Sequence, residues 1–309
     1  MQRTGPEAPS SPSCGVVIMG HRSLEKDGIS PYLFLAPLLV LLAAFILYPV
    51  VMNLIASFTE WKGYGAKKWI GLDNYRAMFQ DQAFWTSIWN TSILVCYIPV
   101  STIITVFIAA LLREGLKGWK VYRALLYIPN LLGPVIIGVI FSIYLRDDGS
   151  LNLALKWATG STVRFLTSPS LAINSIGIIQ VVWVHLGFGL IYFLAAMNGV
   201  DQGIFEAALI DGASFWQTLV RVTIPSIRFA VEFWVVFNFI EVFARMFSFI
   251  YTLTRGGPGY GTFTLKYGIF VQGFEKFRAG YSSAWSVVLF VFCAIISVLQ
   301  IRLMRRRES

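Results

Sequence analysis

Apolar positions fall into six long runs separated by short polar connections. The runs cover roughly residues 32–58, 88–112, 121–145, 171–197, 228–252 and 284–304. Each reaches the length of about 20 residues that a helix needs to cross a bilayer. The third run contains Pro129 and Pro134, which predict a kink of the kind membrane helices tolerate. The chain therefore reads as an all-α polytopic membrane protein with six transmembrane helices. Residues 30–304 form the membrane domain.

Composition agrees. Of the 309 residues, 56 % are hydrophobic and only 13 % charged, where a soluble domain carries about 25 % charge. The solvent must be partly membrane lipid. The net charge of +9 reads as lysines and arginines flanking spans and facing anionic headgroups. No basic helix or aromatic-basic repeat marks a nucleic-acid partner. Cys14, Cys96 and Cys293 are odd in number and unpaired in spacing, so they predict neither a disulfide framework nor a metal site. Residues 1–29 are rich in Pro, Ser and Gly and lack the apolar core of a signal peptide. They read as a disordered cytoplasmic tail, in which Met19 is an alternative start.

Orientation follows basic residues close to span ends. The short loop "REGLKGWKVYR" and the chain end "RLMRRRES" are the densest basic stretches. Both lie on the inner side if both termini are cytoplasmic, with residues 305–309 as a basic tail. The connection between the fourth and fifth spans, residues 201–225, is then cytoplasmic too.

That connection is unusually rich. Asp201 is a good N-cap for a helix starting near Gln202. Residues 203–210 are mostly helix formers, and Gly212 suits a left-handed helix stop. "SFWQ" has the capping-box form, with Gln217 three residues after Ser214. Pro225 predicts the end of this second helix, because it pushes the preceding residue out of helical geometry. Phe205, Ala208 and Leu209 share one apolar stripe; Phe215, Trp216, Leu219 and Val220 share another. Either stripe suits the protein's own spans, the membrane surface or a partner. Glu206 and Asp211 add anionic contacts beside the first.

The stretch "EAALIDGASFWQTLVRVTIP" resembles the EAA motif of permease subunits in binding-protein-dependent ABC importers. The matching positions are Glu206, Ala207, Ala208, Gly212 and the terminal Val222-Thr223-Ile224-Pro225. The segments "IGLDNYRAMFQDQAFWTSIWNT", "IYTLTRGGPGYGT" and "GFEKFRAGYSSAWS" are similar to the carbohydrate branch, in the same order, and the likeness covers roughly residues 30–304. The resemblance implies the maltose-type first permease of a pair. A second permease completes the path, an extracytoplasmic binding protein delivers a sugar-like solute, and a dimer of cytoplasmic ATPase subunits drives alternating access. It implies that Phe205, Glu206, Ala207, Ala208, Leu209, Asp211 and Gly212 meet the ATPase, while 215–222 packs mostly against the spans. The chain has no G-x-x-x-x-G-K-[ST] loop, so ATP and Mg belong to the partner and this chain binds no cofactor. The implied location is a bacterial or archaeal plasma membrane.

Ionisable groups inside spans are costly and mark function. In the fifth span Asn238, Glu241 and Arg245 fall at i, i+3 and i+7 on one helical face, with Glu241 and Arg245 spaced for an ion pair. They either fasten this helix to a neighbour or line a solute path. The resemblance places sugar-contacting side chains in this helix. The charges here also admit a charged polyol, such as a glycerophosphodiester or an amino sugar. Trp183 stands where relatives carry an aromatic platform. His185 is either a hydrogen-bonded core residue or a path residue, and Asn130 lies beside the proline kink. An ion-coupled secondary transporter is the alternative class; it wants a titratable acid, which Glu241 supplies only if Arg245 does not neutralise it. No nucleophile–base constellation points to an enzyme.

Overall fold

The computed structural model describes residues 30–115 and 118–305. The tail expected over 1–29, Lys117 of the basic loop and residues 306–309 lie outside the described residues. Contacts divide the chain into residues 1–50 and 51–309, taken here in turn.

In the first unit the helix Ser30–Leu42 contains Pro37 and passes into a π-helical turn at Ala43–Leu47. The first candidate span, α1 (Leu35–Ser57), begins here.

In the second unit a two-residue antiparallel ladder joins β1 (Thr59–Glu60) to β2 (Lys68–Trp69). It is followed by α2 (Asp73–Gln80). Asn74 of α2 donates 2.9 Å hydrogen bonds to the carbonyls of Ser57 and Thr59, which pairs groups that a helix end leaves open. Next come α3 (Gln82–Arg113), α4 (Trp119–Leu131), α5 (Pro134–Tyr144), α6 (Ser150–Thr159) and α7 (Pro169–Asn198). The connecting segment holds α8 (Gln202–Ile210) and α9 (Phe215–Thr218). It is followed by α10 (Arg228–Ala244), α11 (Phe247–Leu253), α12 (Leu265–Phe270) and α13 (Ala279–Arg305).

Four of these helices are long and apolar enough to cross a membrane: Leu35–Ser57, Gln82–Arg113, Pro169–Asn198 and Ala279–Leu299. Two further helix pairs are apolar enough only when taken together, and each is sharply bent at a short break, the form of a broken span or a re-entrant loop. The expected third span is not a kinked rod but α4 and α5, bent by 94°. Leu132 and Gly133 are extended, and Pro134 opens a new helix, because a proline drives its predecessor out of helical geometry and is pre-set for a first helical turn. The expected fifth span is α10 and α11, bent by 52°. Pro225 does not end the helix before it. Ile224 keeps helical angles, and a π turn at Leu219–Thr223 precedes it. The wider turn relieves the clash that proline causes in an α-helix, and the break falls at Ile227 instead.

Lipid is as apolar as a leucine side chain, so these helices are held by close packing at small residues rather than by a hydrophobic drive. Gly187 of α7 lets the α4 backbone in; a Cβ there would overlap the Leu126 carbonyl and lie 2.7 Å from Tyr127 Cα. Gly189, two residues on and facing away, admits α3 and α10; its Cβ would lie 2.6 Å from both Thr105 and the Trp234 ring. Gly138 of α5 is closed in the same way by Thr252 of α11, so the second halves of the two bent pairs pack on each other. One buried cluster gathers near the Gln82 end of α3 around Phe84, Leu94, Phe249 and Trp285. A second lies toward Arg113 around Ala109, Leu190, Phe193 and Trp234.

Candidate functional site

The segment between α7 and α10 is built from local signals. The Asp201 carboxylate accepts from the Gly203 amide at 2.9 Å, capping α8 as its position predicts. At the other end the Gly212 amide donates to the Leu209 carbonyl and the Ala213 amide to Ala208. That pair of bonds is a Schellman stop, and Gly212 takes the left-handed angle it needs, φ +74°. Ser214 and Gln217 complete the capping box: the Ser214 amide donates to Gln217 Oε1 at 2.8 Å and the Gln217 amide to Ser214 Oγ at 3.4 Å.

The first apolar stripe is divided. Phe205 and Ala208 are buried, whereas Leu209 is 68 % exposed and Ile210 86 %. Phe205 does not face outward with Leu209; the Arg113 guanidinium at the end of α3 sits 3.4 Å above its ring centroid. Arg113 also donates to Gln202 Oε1 at 3.3 Å. Glu206, Ala207, Asp211 and Gly212 are exposed beside Leu209 and Ile210. The second stripe is divided as well. Leu219 is buried, Phe215 meets Phe107 of α3 edge-on, and Trp216 stacks on Phe107 at 5.3 Å while staying 62 % exposed, with Val220 58 % exposed beside it.

Of the polar residues of the expected fifth span, Glu241 and Arg245 sit beside the break between α10 and α11, and Asn238 lies further back within α10. Glu241 is at the centre. Its Oε1 accepts from Arg245 at 3.1 Å, and its Oε2 lies 4.0 Å from His185 Nε2 of α7. His185 Nδ1 faces the Gln180 carbonyl; a carbonyl only accepts, so Nδ1 carries the proton. Arg245 is not part of a continuous helical face. It lies just past the α10 end with φ −120°, and its side chain is 71 % exposed while that of Glu241 is 14 % exposed. Asn238 is buried; its amide donates to the Trp234 carbonyl, and its Oδ1 has no hydrogen-bond partner among the described residues. Trp183 is 40 % exposed and packs edge-on against Phe141 of α5. Asn130 is half-buried near the α4 end. The structure thus brings His185, Glu241 and Arg245 together, with the ion pair between Glu241 and Arg245 and the imidazole alongside.

Comparison with known proteins decides the family. A probable ABC transporter permease protein, YesP of Bacillus subtilis (strain 168), is 30 % identical over 284 residues, covering 90 % of this chain and 91 % of the relative. The chain belongs to the ABC transporter permease family. The lactose transport system permease protein LacF of Rhizobium radiobacter is 29 % identical over 287 residues, covering 91 % of this permease and 95 % of LacF. No family model matches the chain. Among solved structures, a chain of a bacterial ABC transporter involved in the import of the acidic polysaccharide alginate superposes with a TM-score of 0.80 at 23 % identity, covering 91 % of the permease and 96 % of that chain. The permease shares that fold and is an integral membrane transport subunit, not an enzyme.

Two residues of the permease escaped the sequence reading. Ile210 falls outside the Phe205–Ala208–Leu209 stripe, yet it is the more exposed half of the apolar knob. Arg113 was counted only as a positive charge near a span end, yet its guanidinium covers Phe205 on the side of α8 that faces the chain. Only the match of an apolar ring to a distant guanidinium would have shown this, and spacing along the chain does not carry it.

Proposed function

We propose that this permease forms, with a second permease, the translocation path of an ATP-driven importer for a sugar or related polyol. Residues 30–304 form six spans with both termini cytoplasmic, and α8 is the coupling helix within 201–225. A dimer of cytoplasmic ATPase subunits supplies ATP and Mg, and an extracytoplasmic binding protein delivers the solute. The membrane is a bacterial or archaeal plasma membrane. The observation that carries the coupling reading is the exposed Leu209–Ile210 pair on a helix capped at both ends and anchored on its other face. An apolar knob flanked by Glu206 and Asp211 suits a groove with basic rims; left in water it would be a liability. The sugar assignment is supported by the likeness to a lactose permease.

In this reading Trp183 offers a flat face to sugar C–H groups, and His185, Glu241, Arg245, Asn238 and Asn130 offer polar contacts. The Glu241–Arg245 pair supports a second cargo, a charged polyol. It argues against a proton-coupled secondary transporter, because the acid such a carrier would titrate is already held by a cation at 3.1 Å. The test is co-purification of the partner subunits followed by solute-stimulated ATP hydrolysis over a panel of sugars and polyols. Stimulation by a member of the panel is expected. Uptake by this chain alone, driven by a proton gradient, would overturn the proposal.

A further inference from the structure

We infer that Arg113 is a positioning residue that clamps the coupling helix to the second span, so that α3 takes up any displacement of α8. The inference rests on the coupling reading above and goes beyond it by naming where force enters the membrane domain. A partner that pushes on Leu209 and Ile210 moves the rest of the chain only through the attachments of α8. Among the described residues, one side-chain hydrogen bond joins α8 to another helix, from Arg113 to Gln202 at 3.3 Å. The same guanidinium covers the buried Phe205 ring at 3.4 Å, well inside the range of a cation–π contact. Arg113 therefore grips α8 twice, at Gln202 and three residues later at Phe205, which are neighbours on one helical face.

The second half of the segment reaches the same helix. Trp216 and Phe215 pack on Phe107, which lies six residues before Arg113, about 9 Å along the α3 axis. Both halves of the segment are thus fixed to one helix at two points. At the far end of α3, Asn90 donates to the Tyr260 carbonyl at 2.7 Å and the Phe263 carbonyl at 3.2 Å. The loop between α11 and α12 is tied there. The span that holds the coupling segment at one end holds this loop at the other.

The clamp is tested in the assembled importer in proteoliposomes, by measuring solute moved per ATP hydrolysed and the amount of complex recovered. Arg113→Ala should lower the transport ratio about five-fold or more, the scale of an ordinary coupling between sites, with complex still recovered. Arg113→Lys keeps a cation that can sit over Phe205 and should retain most of the ratio, whereas Arg113→Gln should not. Arg113→Ala combined with Phe205→Leu should be no worse than the poorer single variant, since residues in contact are not additive. A wild-type ratio in Arg113→Ala, equal losses in Arg113→Lys and Arg113→Gln, or losses that multiply in the double variant would each overturn the clamp. If Arg113→Ala does not assemble, the Lys and Gln variants decide. Ile210→Asp separates the two readings. If it too transports normally, the coupling reading fails; if it abolishes transport while Arg113→Ala does not, only the clamp fails.

Discussion

Glu241 and Arg245 form a 3.1 Å ion pair in the last turn of α10, just before a helix break, with one partner 14 % exposed and the other 71 %. The asymmetry sets what each substitution costs. Glu241→Gln leaves Arg245 an amide oxygen to donate to and a side chain that is free to turn away from the helix, so it should be the milder of the two changes. Arg245→Met leaves a mostly buried carboxylate facing only His185, and should cost about 1–3 kcal/mol. Thermal unfolding of the detergent-solubilised protein is the check. Equal shifts in the two variants would mean that the burial of Glu241 does not set the cost.

The Gly212 stop is a matter of backbone conformation, not of space. Its φ is +74°, and a Cβ added there would meet nothing within 4 Å. Gly212→Asn should therefore keep most transport, because asparagine tolerates the left-handed region. Gly212→Val should cost about 1–2 kcal/mol at that residue, unwind the Schellman stop and lower coupling between hydrolysis and uptake. Comparing the transport ratio of the two variants checks this, and equal ratios would contradict it.

Much of this segment was legible because its signals are local. Asp201, Ser214, Gln217 and Gly212 each act on backbone groups within a few residues, so the sequence alone names the partners. The division of the Phe205–Ala208–Leu209 stripe was not legible, since it depends on Arg113 from another helix. The prolines near residue 130 announced a disturbance, but the 94° bend goes with packing elsewhere, where Gly138 of α5 meets Thr252 of α11. Arg245 was assigned to one face with Asn238 and Glu241 on the assumption of an unbroken helix, and the chain breaks just there.

Gly187 is a different kind of glycine, used for close approach. A methyl group there would overlap backbone atoms of α4, which cannot swing aside as a side chain would. Gly187→Ala should push α4 off α7 and destabilise by about 1–3 kcal/mol. The measurement is thermal unfolding and the yield of folded protein. A yield and midpoint like those of the parent chain would mean that α4 is free to shift.

Phe205 and Ile210 lie on the same short helix and should fail in opposite ways. Phe205 is 6 % exposed and Ile210 86 %. Phe205→Ala removes a ring packed under Arg113, so it should destabilise the permease itself by about 2–4 kcal/mol, at or below the usual range for a buried phenylalanine because the site lies at the protein edge. Ile210→Asp changes a side chain that is 86 % exposed and should leave the unfolding midpoint within the ~0.5 kcal/mol typical of surface changes. If Ile210 is the knob that an ATPase groove receives, the same change buries an unpaired charge at that interface. Recovery of the ATPase on purified permease should then fall by about ten-fold or more, equivalent to ~1.4 kcal/mol. The two measurements, made side by side, separate folding from docking. A stable Ile210→Asp permease that still recovers the ATPase at parental levels would remove α8 from the interface.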